Sequence, residues 1–500
     1  MRKIRIPRSL FEKIAIIYVI CPIIVFFFGW TKIYIALVAS GLLLFSVFKV
    51  FKRKFLNDEI IYIDFKLLIL IIAVLGIWCW TSGIGGFFVQ RWDHHARNAV
   101  FRDLISYDWP VIYKKTGNGL VYYFTFWMIP ALIGKVAGWT AGNIALLIWS
   151  IWGIILVYLG LCFALRAMTA KKMMVILLIF ITWSGLNILG LGIADVLGTN
   201  NFSVGGAYGW ADFLGGYQYT PNTGLMKWVF NQTIVPWLLT TLFLLNKDEV
   251  SLYAFWGILM LPYGPLPFIG IFLTMILFTI TKLKKRKVLC IIKDAISIEN
   301  ICSILAIVPI FYFFFKCNVA ANGDAANAGF GLYIPLKEYN YKYFLVLILF
   351  VFLEFGIYSL LIKNKYKKDK LFWVVNILLI LIPNFRLGSG HDFCMRASIP
   401  GLFIIMFYVI DYLFNVKGEF SKCLAAQCLI ITLTIAGLGT LGDYGMDIKE
   451  IKTAGHFPVV ADDVKTFEGR QVYNDPEVWY TINFLTPDPC GKTFYKYFAR

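Results

Sequence analysis

The sequence predicts an all-α polytopic membrane protein with about thirteen transmembrane helices, external loops and a small external C-terminal tail. Three observations predict it. Of the 500 residues, 59% are hydrophobic and only 15% charged, against about half and about a quarter in soluble domains. Apolar runs long enough to cross a hydrocarbon core of about 30 Å recur along the chain. The formal charge of +18 sits in short clusters between those runs, which is how membrane topology is set. A soluble bundle would need charged outer faces, and the runs have none. The placement of Lys and Arg likewise argues against nucleic acid as a partner.

The basic clusters orient the chain. "MRKIRIPR", "KVFKRK" (49–54), "RAMTAKK" (166–172), "KLKKRK" (282–287), "KNKYKKDK" (363–370) and "VKGEFSK" (416–422) are expected on the cytoplasmic side. Successive clusters must then be separated by an even number of crossings. No small-residue cleavage site follows the basic N-terminus, so the first apolar run is read as a retained anchor. Spans over 14–29 and 33–49 make an N-terminal hairpin, residues 1–54. A span over 67–88 crosses outward and must return before Arg166. Two apolar stretches compete for that return. If both crossed, "RAMTAKK" would lie outside, so 142–165 is taken as the span and "LVYYFTFWMIPALIGKVAG" as a juxtamembrane helix. The remaining spans are 173–193, 228–245, a hairpin of 251–263 and 266–281, then 301–317, 343–362, 371–385, 396–414 and 423–441. The transmembrane core is 55–441, with a first external loop at 90–141. Residues 442–500 form an extracytoplasmic tail and a possible small lid. The ten cysteines are scattered without any CxxC, as small core hydrophobes are. With no organelle signal, a bacterial plasma membrane is the simplest home.

The first loop concentrates charge just beyond a span. In "RWDHHARNAVFRD", Asp93, His94, His95, Arg97 and Asp103 sit where a membrane enzyme would meet a lipid-borne substrate. On an ideal helix Asp93 and Arg97 share a face, whereas Asp93 and Asp103 lie about 15 Å apart along the axis. That is too far for a glycosidase-type carboxylate pair, which needs about 5–9.5 Å. One carboxylate near a hydroxyl can act as general base or hold a divalent metal. An ordinary solvated loop is the competing reading.

A second candidate is "NFRLGSGHDFCMRASIPGLF". Gly388, Ser389 and Gly390 would let backbone N–H groups turn toward an anion. Arg386 and Arg396 carry planar donors suited to phosphate, His391 and Asp392 adjoin them, and Asp392 and Arg396 are spaced for an i,i+4 pair. A helix cap with a self-satisfied Asp392–Arg396 pair explains part of the same pattern. The loop from Asp195 through Asp212 to Trp228 mixes Gly, Asn and aromatics, as sugar-binding surfaces and aromatic belts both do. Glu354 falls in mid-span, where a carboxylate is a functional candidate by default; an interhelical hydrogen-bonded contact is the alternative.

The order of features in "RWDHHARNAVFRDLISYDWPVIY", "GLVYYFTFWMIPALIGKVAG" and "GNIALLIWSIWGIILVYLGLCFAL" resembles the GT-C class of integral membrane glycosyltransferases. In that class an outward span leads into an external loop with an early acidic residue, then interfacial helices and a return span. The likeness covers residues 91–165, and two extra N-terminal spans depart from it. It implies transfer of a sugar from a polyprenyl-phosphate carrier to a glycan, lipid or protein acceptor on the outer face. Asp93 matches the catalytic carboxylate and Asp103 a second acidic position. His94 stands where a paired acid would be, so metal dependence stays open and no cofactor is assigned. His94, Arg97, Arg386, His391, Asp392 and Arg396 are the expected substrate-binding residues. A polysaccharide polymerase or ligase, or a flippase of lipid-linked sugars, are the alternatives. A transporter would concentrate its ionisable groups near the midplane and often shows two related halves; here nearly all ionisable residues sit at the ends of spans, Glu354 apart, and no internal repeat is evident.

Overall fold

The structure is a computed structural model that describes residues 3–53, 59–190, 217–283, 287–320, 329–334, 341–387, 392–416, 423–478 and 480–500. It is a multi-pass helical membrane protein. Among the described residues, eight helices are long and apolar enough to cross a membrane, or nine if Asn222–Gln232 and Ile234–Leu245, bent by 99°, form one span. Four shorter apolar helices accompany them: Phe65–Thr81, Val250–Met260, Lys370–Asn384 and Ile399–Phe414. Leu178, Ile148 and Ile431 point outward and exposed, which suits helices bathed in lipid and not water.

Small residues let the helices close up. Gly153 of the Met128–Ala164 helix lies against Tyr18 and Ile234, and Gly160 against Thr241 and Phe11. The Arg8–Trp30 and Ile234–Leu245 helices therefore pack on it nearly backbone to backbone, as small residues permit in membranes. The Ile298–Phe315 helix rests on Ile33–Phe51. There Ser46 donates to the Glu299 carbonyl at 2.7 Å, and Arg53 binds the Glu299 carboxylate at 3.0 Å.

Several elements differ from expectation. Among the described residues, three two-stranded antiparallel ladders interrupt the helical architecture, Lys3–Pro7 with Ile60–Asp64, Gly119–Leu120 with Leu485–Thr486, and Gly331–Leu332 with Phe385–Arg386. The outward helix ends at Thr81, not 88, because Gly83, Gly85 and Gly86 take positive φ values of 75–79°, a conformation that suits glycine and stops a helix. Tyr122 and Tyr123 precede the juxtamembrane helix instead of belonging to it. That helix breaks from the following span at Gly138, whose φ of 86° and ψ of 177° are non-helical. The last helix runs Leu424–Ala454, well beyond 441. Its glycines are tolerated because the projecting end is tied down by ion pairs described below. Cys394 and Cys490 are both free thiols.

The two ends of the bundle differ. One end carries the basic links, with Arg8, Arg53, Arg166, Lys172 and Lys365. At the other, the tail straps the first loop. Arg102 binds Asp462 at 2.7 Å, His95 meets Asp463 at 2.5 Å, Val121 N–H donates to the Phe484 carbonyl, and Lys32 N–H to the Phe498 carbonyl.

Candidate functional site

The loop helix His94–Ser106 starts immediately after Asp93. Arg97, one turn on, donates from Nη2 to Asp93 at 2.7 Å. Asp93 keeps 30% of its side chain exposed, while Arg97 is buried. The Tyr122 phenol lies beside the Arg97 guanidinium. The Tyr122 ring packs against Tyr123 with centroids 3.9 Å apart and the planes tilted by 34°, and the Tyr123 hydroxyl accepts from Arg396 at 3.2 Å. Arg396 closes the row on Asp392 at 2.6 Å. Asp93 lies within electrostatic reach of Arg396. Two segments 300 residues apart in the chain thus converge on one place.

A cavity of about 180 Å³ opens there, with Tyr122, Tyr123, Asp392, Arg396, Asn318 and Asn483 on its polar side and Pro265, Leu266, Phe315 and Leu387 on its apolar side. The Arg396 turn is seated by glycine. A methyl on Gly270 would stand 1.9 Å from the Ala397 carbonyl oxygen, so the Pro265–Lys282 helix can approach this backbone only without a side chain.

Both arginines retain unmet donors. Nε and Nη1 of Arg97 and Nε of Arg396 are buried without a hydrogen-bond partner among the described residues. The two guanidiniums also repel each other. Buried donors left unmet are costly, so the arrangement suits a doubly charged oxyanion. Asp93 is flanked by two cations, Arg97 and Arg396, and among the described residues no group of three His, Cys, Asp or Glu side chains could hold an ion.

The remaining expected site residues are placed elsewhere. Asp103 is buried, and its carboxylate accepts from Tyr113 Oη at 2.7 Å, Thr466 Oγ1 at 2.6 Å and Phe467 N–H at 2.9 Å. Burial raises its pKa, and these donors offset part of that rise. Its partners are structural: it pins the tail to the loop. His94 is also enclosed. Its Nε2–H donates to the Lys227 carbonyl at 2.9 Å, Nδ1 accepts from Gln90 at 3.1 Å, and the ring stacks on Phe230. Burial, with Arg97 nearby, pushes its pKa down to about 4, leaving a neutral spacer with both nitrogens occupied and no reach for substrate. Arg386 lies in the ladder opposite Gly331, beside Leu387, which does line the cavity. Gly388, Ser389, Gly390, His391, Asp195 and Asp212 lie outside the described residues.

Sequence reasoning missed a charge cluster buried under the loop. Arg91 binds Asp447 at 2.7 Å and Glu450 at 2.8 Å, with Asp443 at 3.6 Å, and Lys227 binds the other oxygen of Asp447 at 2.5 Å. It also missed Asn231 and Gln232 at the 99° bend, fully buried amides with no partner among the described residues. No short-range spacing marks these groups. Compared with known protein families, with curated proteins and with solved structures, the chain shows no match.

Proposed function

We propose that the chain is a membrane glycosyltransferase that moves a sugar from a polyprenyl-phosphate carrier to a hydroxyl-bearing acceptor. It would work on the outer face of a bacterial plasma membrane, with the N-terminus cytoplasmic and the tail outside. The observation that carries this reading is the pair of buried guanidiniums, Arg97 and Arg396, with donors unmet beside a half-polar, half-apolar cavity. A lipid phosphate matches both halves: its oxygens meet Arg396 on the cavity wall and its chain the apolar wall, while Arg97 stands behind Tyr122 and adds positive charge there. In the reaction, Asp93 accepts the acceptor's proton as that oxygen bonds to the anomeric carbon. The bond from that carbon to the phosphate oxygen breaks, and its electron pair leaves on the phosphate. Arg396 and Arg97 stabilise the charge that develops there, as preorganised donors do. Asn483 offers its side-chain amide to sugar hydroxyls, while Asn318 donates to the Val121 and Asn483 carbonyls and shapes the wall. The fold resemblance to the GT-C class, the polyprenyl carrier and a count of about thirteen crossings belong to this proposal.

The test is Asp93→Asn at matched expression, with transfer measured from radiolabelled polyprenyl-phosphate sugars in membranes. Loss of a general base typically lowers the rate about 10²–10⁴-fold. Undiminished transfer removes Asp93 from the mechanism. A second reading, flipping of lipid-linked sugars, is favoured by one feature. Glu354 sits in a π-helical turn, Phe352–Gly356, pressed against Gly185 where the preceding span is interrupted, and irregular helices with acids are common in transporters. Absence of transfer by the unaltered chain across a broad donor panel would select it.

A further inference from the structure

A second cavity, about 450 Å³, lies at the basic end of the bundle, lined by Arg8, Glu59, Arg166, Lys172, Lys247, Asp248 and Asp411 among others, with Asp248 reaching Lys282 at 4.0 Å. It is remote from the first. The helix that links them rises about 38 Å between Trp139, which underlies the loop, and Ala164, which lines this cavity. Most charges here are already matched. Arg8 holds Glu12 at 2.8 Å and the Leu245 carbonyl at 2.9 Å. Arg166 meets Glu59 at 3.3 Å, and Asp411 is taken by Lys365 at 2.8 Å together with Tyr366 and Asn415. Lys172 and Lys247 are different. Both side chains are half-buried and line the cavity from different elements, and neither ammonium makes an ion pair among the described residues. Among the described residues the Lys172 ammonium lies over the Phe414 ring, 5.0 Å away.

Two half-buried lysines that line one void from different elements favour an anion between them. Arg166 adds a guanidinium at the rim, held by a left-handed backbone (φ 49°) that bonds to Phe163. We propose that this cavity binds a phosphate-bearing anion, with Lys172 and Lys247 as its principal ligands. The ends of the spans surround the cavity, at the depth of lipid headgroups, and basic pockets between helices on that side are suited to such groups. A lipid phosphate or a soluble phosphate would satisfy the same chemistry.

The purified full chain separates the two sources. Native mass spectrometry after incubation with phosphatidylglycerol, and thermal unfolding with sodium pyrophosphate, are compared for the unaltered chain and Lys172→Gln/Lys247→Gln. Retained phosphatidylglycerol that falls at least ten-fold in the double variant supports the site and a lipid source. A pyrophosphate-dependent rise in Tm confined to the unaltered chain supports it with a soluble source. Equal retention and equal shift in both proteins, or no binding of either probe, overturns it. Should the double variant misfold, Lys247→Gln alone serves, because the Lys247 ammonium makes no ion pair among the described residues.

Discussion

At the scale of single residues, His94 shows how enclosure converts a titratable group into a structural one. Its ring donates to one carbonyl and accepts from one amide. A second proton would leave the Gln90 N–H facing another donor, in a site already desolvated and beside Arg97. The folded pKa of about 4 lies below histidine's ordinary 6.5, so between these values the unfolded chain binds the extra proton. Stability is therefore complete above pH 6.5 and is lost as pH falls from there toward 4, by about 3 kcal/mol. Unfolding titrations of the detergent-solubilised chain at pH 4.5 and 7.5 check this: His94→Gln should remove most of that slope, and an unchanged slope would put it on other groups. Local spacing made some residue contacts legible. The i,i+4 intervals foretold the Asp93–Arg97 and Asp392–Arg396 pairs. Asp103 matches an acidic position of the resemblance, but its partners, Thr466 and Phe467, lie 363 and 364 residues away, where no periodicity points.

Among the elements, the apolar runs were legible because each must be covered by lipid or by other helices along its whole length. Their ends were less so, since a span stops where backbone geometry or a tertiary partner stops it. The short strands Lys3–Pro7 and Ile60–Asp64 show the same limit: each is completed only by the other. The seat of Arg396 is likewise a property of two elements. Gly270 meets a backbone carbonyl, not a side chain, so no rotamer change on the far side can make room. Gly270→Ala should cost about 1–3 kcal/mol through overpacking and displace the Arg396 turn. A shift near 1 Å at a reacting centre can cost about 10²-fold in rate. Transfer assays should show a loss in Gly270→Ala that Ala397→Gly does not restore. Restoration would place the clash on the Ala397 methyl, contrary to the geometry.

Across the whole molecule, the tail and last helix are joined to the first loop by charges that hydropathy alone treats as exceptions. Asp443 and Asp447 look like the start of an exposed tail, and Lys227 like the edge of a span. Folding brings them to Arg91, and the helix continues to Ala454 because its acids have buried partners there. Losing one member of such a buried set leaves uncompensated charge, a change that costs about 3–5 kcal/mol, whereas replacing partners together by apolar groups is often neutral. Arg91→Met should thus destabilise the chain by that amount in SDS titrations, and Asp447→Leu should do so too, since it strands Lys227. Because both mutations sever one contact, the Arg91→Met/Asp447→Leu double variant should lose less than the two losses added. Independent sites add to within about 0.5 kcal/mol. Additivity would mean that the loop and the last helix are held together by contacts other than this charge cluster.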